Sequence, residues 1–339
     1  MEDVHDRPDF HILALSGGGY RGLYTATILR ELEKSCERPL ARHFDLICGT
    51  SAGGLLALGL AAEISTADLE AMFVSEGKRI FGGSGWLRRH LGKWFMAKHS
   101  PDGLRAVLSE RLGNKTIGDL QHRVLIPTVN YSTGKGQFFK TPHMPAFESD
   151  TRRSLVDVGL ATAAAPTYFP LHRIDGYGTF ADGGLVGNSP GLFGLHEARH
   201  FLGFDTRVRV RVLAIGTMTV GATMRGSSTL NRGVYQWGAK VFDLVISAQE
   251  GAVDFMLQQV LGPDYLRVDD QATPDQSRDI SSLDVVTQGA TTVLRERGAQ
   301  AARRMLGDPR YAVFKSHIAA KPTFYHGPRK NAEVTTCRT

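Results

Sequence analysis

Two strand–turn–helix units near the start of the chain constrain its fold more than any other feature. His11-Ile-Leu-Ala-Leu-Ser16 is an apolar run of strand length that opens into Gly17-Gly18-Gly19. From Thr25 to Glu33, Ile28, Leu29 and Leu32 recur at helical spacing among charges. Phe44-Asp-Leu-Ile-Cys48 repeats the pattern, running into Gly49-Thr-Ser-Ala-Gly-Gly54 and then an apolar helix through Leu60. Strand, turn and helix, twice over, call for a mostly parallel central sheet flanked by helices, an α/β fold.

The remaining elements extend that scheme. Residues 65–120 read as mostly helical, Val124 to Val129 as a strand, and Leu155 to Ala165 as a helix stopped by Pro166. Arg207, Arg209 and Arg211 alternate with Val208, Val210 and Val212 before a continuous apolar run to Ile215, which describes a strand entering the core from a solvated end. A long helical stretch covers Leu230 to Leu261, Tyr265 to Val268 is a last strand, and a helix covers Gly289 to Leu306. No repeat or linker divides the chain. We therefore expect one domain over 1–339, with a motif-bearing core at about 11–217 and a helical C-terminal part at 218–339.

Composition excludes several classes. No run of 18 apolar residues offers a membrane span. The acidic, polar N-terminus is the reverse of a secretory signal. Three cysteines, Cys36, Cys48 and Cys337, contain no CxxC and build neither a disulfide framework nor a zinc site. A cytoplasmic protein is expected. The formal charge of +6 suits anionic partners such as phospholipid surfaces or nucleotides, but charge alone favours plain solubility.

Gly49-Thr50-Ser51-Ala52-Gly53 fits G-x-S-x-G between a strand and a helix. Such an elbow strains the serine and lifts its Oγ clear, and it needs small residues at Gly49 and Gly53 because side chains there would meet neighbouring backbone. Upstream, Gly17-Gly18-Gly19-Tyr20-Arg21-Gly22 formally matches the dinucleotide fingerprint G-x-G-x-x-G. That fingerprint needs an acidic residue at the end of the second strand, and Asp45 lies at its beginning. The alternative is an oxyanion hole, in which the bare amides of Gly17, Gly18 and Gly19 converge on a developing alkoxide. Arg21 could add charge there or brace the loop.

A nucleophilic serine needs a base. His317 and His326 occupy the late position of a Ser–His–Asp hydrolase but carry no loop signature. Asp182, in Phe180-Ala-Asp-Gly-Gly-Leu-Val-Gly-Asn-Ser-Pro190, sits in a tight turn that could present a carboxylate to the serine. Read alone, it is better described as an ordinary Asp-Gly turn without chemistry.

Three of these motifs, in this order, resemble the patatin-like phospholipase family: Gly17 to Gly22, Gly49 to Gly53, and Asp182-Gly183-Gly184. Ala163-Ala-Ala-Pro166-Thr-Tyr-Phe-Pro170 resembles the family's proline-containing stretch. The likeness runs from about His11 to Thr217. It implies a three-layer α/β fold, hydrolysis of fatty acyl esters, no metal and no catalytic histidine. By it, Ser51 is the nucleophile, Asp182 the base, and the amides of Gly17, Gly18 and Gly19 the oxyanion hole, supported by Arg21 and Gly22. Thr141-Pro-His-Met144 and Asp157 to Pro166 further look like the patatin-like effectors of cyclic-oligonucleotide anti-phage systems. That likeness implies a cyclic dinucleotide activator, attack on the cell's own phospholipid at the inner membrane surface, and a homodimer or a ligand-driven homo-oligomer.

A lipid hydrolase also needs an interfacial surface. Lys78 to Lys98 holds six Lys and Arg residues and no acid, with Phe81, Trp86, Trp94 and Phe95 interleaved. A helix over Trp86 to Ala97 would place Trp94 and Phe95 on one face and most of the cations away from it, the composition of an interfacial helix and also of a lid. The cluster carries no DNA- or RNA-binding motif. Two rivals stand beside the lipase reading: a Ser–His–Asp esterase and a non-enzymatic nucleotide-binding regulator built on the glycine loop.

Overall fold

The computed structural model describes residues 8–82, 96–203, 208–218 and 240–332. Its strands are β1 (Asp9–Leu15), β2 (Leu46–Gly49), β3 (Val124–Asn130), β4 (Lys135–Lys140), β5 (His172–Ile174), β6 (Gly178–Ala181), β7 (Arg209–Ile215) and β8 (Tyr265–Val268). They form one sheet in the order β5-β6-β3-β2-β1-β7-β8, with β4 beside β3. β3, β2, β1, β7 and β8 run parallel, the expected block. The antiparallel strands β4, β5 and β6 make the sheet mixed.

Side chains of β1 alternate between two apolar layers. Leu13 and Leu15 face one, with Ile28, Leu56 and Val107. Phe10, Ile12 and Ala14 face the other, with Leu195, Ala198 and Leu257. A central strand buried on both faces is apolar throughout, which is why this run was legible as a strand. Helices therefore cover both faces: Gly22–Glu33, Ala52–Ala61 and Thr66–Phe81 on one, Gly191–His196 and Lys240–Leu261 on the other. Among the described residues beyond 217 the chain is mainly helical, but it also contributes β8, which lies parallel to β7.

Two departures from the sequence reading bear on the site. The helix beginning at Leu155 ends at Thr162 rather than Ala165. Gly183 N–H takes the Thr162 carbonyl (3.1 Å) and Asp182 N–H the Ala164 carbonyl (3.0 Å), so this backbone serves the neighbouring turn instead of its own helix. The second departure is β6. Along one edge of β3, β2 pairs at Val124 and Leu125 while β6 pairs in the opposite sense at Val129 and Asn130. β4 occupies the other edge over Leu125 to Asn130. β2 and β6 thus run head-on toward each other, and the turns that end them collide. Those turns carry Ser51 and Asp182.

Candidate active site

Ser51 follows β2 and precedes the helix Ala52–Ala61. Its backbone sits at φ 52, ψ −123, a conformation a side chain rarely adopts and a strained elbow exploits. A Cβ at Gly53 would lie 2.2 Å from the Leu15 carbonyl oxygen, and one at Gly49 would lie 2.2 Å from the Gly53 carbonyl oxygen. The glycines two positions either side of the serine are therefore required by packing. Thr162 Oγ1 accepts the Ser51 N–H (3.1 Å) and donates to the Pro127 carbonyl (2.7 Å), pinning the elbow to β3.

Ser51 Oγ donates to Asp182 Oδ2 at 2.8 Å. The other Asp182 oxygen accepts the Gly184 N–H at 2.6 Å. The carboxyl is 2% exposed. Burial pushes its pKa up to about 7, against the opposing pull of the bonds from Gly184 and Ser51. A carboxylate paired with no cation among the described residues, kept half-ionised near neutrality, is a much better proton acceptor than an exposed aspartate.

The glycine loop after β1 lies beside the serine. A Cβ at Gly17 would come within 3.0 Å of Ser51 Cβ and 2.3 Å of Asn188 Oδ1. The three amides are not equivalent. Gly17 N–H donates to the Asn188 carbonyl (3.2 Å), whereas the amides of Gly18 and Gly19 make no hydrogen bond among the described residues. Ala52 N–H, the first of its helix, is likewise unengaged there. Gly22 begins the helix Gly22–Glu33.

Arg21 lines the same cavity. Among the described residues its buried Nε has no partner and the side chain forms no ion pair. Burial lowers its pKa, with Glu250, Asp243 and Asp269 acting against that shift. The rest of the lining is apolar, including Leu55, Phe73, Ile80, Leu104 and Phe169. The cavity encloses only about 50 Å³.

Neither late histidine approaches Ser51. His317 Nε2 bonds Asp45 Oδ2 (2.7 Å) and its ring lies against His11, while His326 Nε2 bonds the Pro145 carbonyl (2.7 Å). No histidine lines the cavity among the described residues. Trp86, Trp94 and Phe95 lie outside the described residues, as do Cys337 and Arg207. The described residues hold no cluster of potential metal ligands, and none of their helices is long and apolar enough to cross a membrane.

Two partners of the site went unassigned in the sequence. Asn188 Nδ2 donates to the Gly17 carbonyl (3.0 Å) and to Glu250 Oε1 (2.8 Å). Asn188 lay within the segment around Asp182, so proximity could have flagged it. Glu250 is on the helix Lys240–Leu261, with nothing local to mark it.

The family model for patatin-like phospholipase matches residues 13–192, a span that holds the glycine loop, the elbow and the Asp182 turn. The chain belongs to the patatin-like phospholipase family. A relative from Pseudomonas aeruginosa, named cGAMP-activated phospholipase, is 62% identical over 330 residues, 97% of this chain and 99% of that protein. A protein of the same name from Vibrio cholerae is 37% identical, covering 89% of this chain and 92% of its own length. Among solved structures, VipD from Legionella pneumophila matches at a TM-score of 0.49 and 13% identity, over 91% of this chain and 67% of that one. Patatin-like phospholipases are serine ester hydrolases, and this chain is an enzyme of that kind.

Proposed function

We propose that the chain is a phospholipase A-type lipid acyl hydrolase, working through a Ser51–Asp182 dyad and switched on by a cyclic dinucleotide. The 2.8 Å bond from Ser51 Oγ to Asp182 Oδ2 carries the chemical half of this reading. Asp182 accepts the hydroxyl proton as Oγ attacks an ester carbonyl. The free amides of Gly18, Gly19 and Ala52 receive the oxyanion, and Gly17 anchors their loop through Asn188. Arg21 adds positive charge beside that loop. Proton return to the leaving oxygen releases the lyso-lipid and regenerates the Asp182 carboxylate. Water then attacks the acyl-enzyme, Asp182 again taking the proton and passing it to Ser51 Oγ as the C–Oγ bond breaks and the fatty acid leaves. The apolar lining suits an acyl chain.

Regulation is supported by the names of the relatives and by the narrowness of the site. A cavity of about 50 Å³ is far below the ~300 Å³ at which small-ligand pockets begin, which supports a site that must widen before it takes a lipid. In this reading the whole chain acts as one unit at the inner membrane surface. Trp86, Trp94 and Phe95 contact lipid, and the protein assembles as a homodimer or a ligand-linked homo-oligomer in anti-phage defence.

The test is fatty-acid release from phospholipid vesicles across a panel of cyclic dinucleotides, with sedimentation in parallel. Activation by one of them is expected, with loss of at least about a thousandfold in Ser51→Ala and in Asp182→Ala. Near-normal rates in Asp182→Ala, or a histidine whose removal is lethal to activity, would overturn the dyad. Phage challenge of cells carrying wild type or Ser51→Ala tests the defence role.

A further inference from the structure

A second cavity, of about 560 Å³, opens at the opposite end of the sheet. Asp45 and Arg123, which line it, immediately precede β2 and β3, whereas Ser51 follows β2. Six residues of nearly extended chain place it roughly 20 Å from the serine.

The walls carry an unbalanced charge. Arg38, Arg123, Lys321, Arg329 and Lys330 line the cavity; none forms a close ion pair among the described residues, although Arg123 feels the attraction of the nearby Asp45 carboxylate. Within that set Arg123 donates to the Asp45 carbonyl (3.3 Å) and Arg329 to the Asp119 carbonyl (2.7 Å), both neutral acceptors. Arg123 Nε is buried with no partner among the described residues. The two carboxylates in the wall are already engaged. Asp45 Oδ2 accepts from His11 N–H (2.9 Å) and bonds His317 Nε2 (2.7 Å). Glu63 takes Arg42 (3.0 Å), Gln121 (2.8 Å) and His122 (3.3 Å). Arg123 is partly balanced by the Asp45 carboxylate, and Arg38, Lys321, Arg329 and Lys330 are solvent-exposed, so the wall presents a net positive rim that attracts a polyanion.

Size and lining narrow the ligand. The volume falls within the ~300–1,000 Å³ of small-molecule sites and far exceeds what one phosphate ion fills. The extended segment Ile318–Pro322 forms one wall, and the amides of Ala320 and Lys321 make no hydrogen bond among the described residues, leaving donors for heterocyclic edges.

We propose that this cavity is the regulatory site of the enzyme and takes a cyclic dinucleotide, its two phosphodiesters neutralising the cations. The proposal rests on the nucleotide activation put forward above and assigns its place. Two rigid elements connect the cavity to the nucleophile. β2 runs from Asp45 to the elbow, and the helix Ala52–Ala61 runs back from Ser51 toward Glu63. Glu63 holds the cavity wall from a φ of 57, a conformation disfavoured for a non-glycine residue. A phosphate competing for Arg42 releases Glu63 and lets the helix whose first turn carries Ser51 shift.

The experiment measures cGAMP binding by calorimetry without lipid, and activation on vesicles, for wild type and for Lys321→Glu/Lys330→Glu. Arg38→Glu is a second variant, and Arg278→Glu, on an 82% exposed side chain elsewhere, is the control. Hydrolysis of a short soluble ester reports correct folding. Binding is expected to weaken about tenfold or more in the cavity variants, with activation shifting by the same factor and the control unchanged. Unaltered binding in both cavity variants would overturn the proposal. Wild-type activation that persists undiminished in those variants places the site elsewhere while leaving nucleotide activation intact. Cavity-dependent binding without activation keeps the site and removes the activation reading. Loss of vesicle association with cGAMP binding retained makes the cavity a lipid-headgroup site and counts against the proposal.

Discussion

Gly17 and Asn188 are joined by two hydrogen bonds of opposite sense: Gly17 N–H donates to the Asn188 carbonyl (3.2 Å), and Asn188 Nδ2 donates to the Gly17 carbonyl (3.0 Å). The turn that carries Asp182 thereby holds the loop whose next two amides make no hydrogen bond among the described residues. Glu250 takes the second proton of the same Asn188 amide at 2.8 Å and fixes its orientation. Asn188→Ala removes one of the two bonds and the link to Glu250. The loop should then hold Gly18 and Gly19 less firmly where an oxyanion forms. We expect kcat on a short soluble ester to fall about 10- to 100-fold with KM changed little, since the loss is felt in the transition state. Steady-state kinetics check this. An effect confined to KM would mean that the pair positions substrate instead.

Asp182 must be ionised to take a proton from Ser51. Burial raises its pKa to about 7, so the active fraction grows as pH rises through that value. The profile of kcat/KM against pH for a soluble ester should climb from about pH 6 and level off above about pH 8. A rate already level from about pH 5 would mean that the carboxyl is not held up by its surroundings.

The parallel block of the sheet was legible because its strands are apolar on both faces and end in glycine turns, as in His11 to Ser16 and Phe44 to Cys48. β4 and β6 were not. Lys135-Gly-Gln-Phe-Phe-Lys140 is largely solvent-facing at a sheet edge, and Gly178-Thr-Phe-Ala181 is too short to carry a period. Yet β6 is the strand that delivers Asp182. Its motif could be noticed in the sequence, while its position depends on pairing with β3, a strand distant in the chain. The elbow was legible for the opposite reason, since Gly49, Ser51 and Gly53 fall within five consecutive residues between a strand and a helix. Which glycine amides are free was not, because Gly17 is occupied by a residue 171 positions on.

Gly53 tests the packing argument directly. A methyl group there would meet the Leu15 carbonyl at 2.2 Å and the Ser16 carbonyl at 2.6 Å, both on rigid backbone. Gly53→Ala should destabilise the fold by about 3 kcal/mol and remove activity, since β1 and the elbow are forced apart. Gly113 is the contrast: its φ is 60, but a methyl group there would meet nothing within 4 Å among the described residues. Gly113→Ala should cost only about 1 kcal/mol and leave kcat intact. Denaturant melts of the two variants separate crowding from backbone strain.

The raised pKa of Asp182 also has a consequence for stability. In the unfolded chain an aspartate titrates near its ordinary value of 3.8, and in the folded protein this one titrates at about 7. Between those values the folded state binds more protons than the unfolded one, so stability falls as pH rises through the window and the loss is complete above about pH 7. A shift of this size corresponds to at most about 4 kcal/mol. Asp182→Asn removes the ionisable group and keeps an oxygen able to accept from Ser51 or Gly184. The variant should be inactive yet more stable than wild type at about pH 8, by about 1–4 kcal/mol, with the difference shrinking toward about pH 4. Thermal melts at the two pH values decide it. A variant that loses ground to wild type on going from acid to alkaline pH would mean that the ionised carboxylate is a favourable part of the fold and that its basicity has another origin.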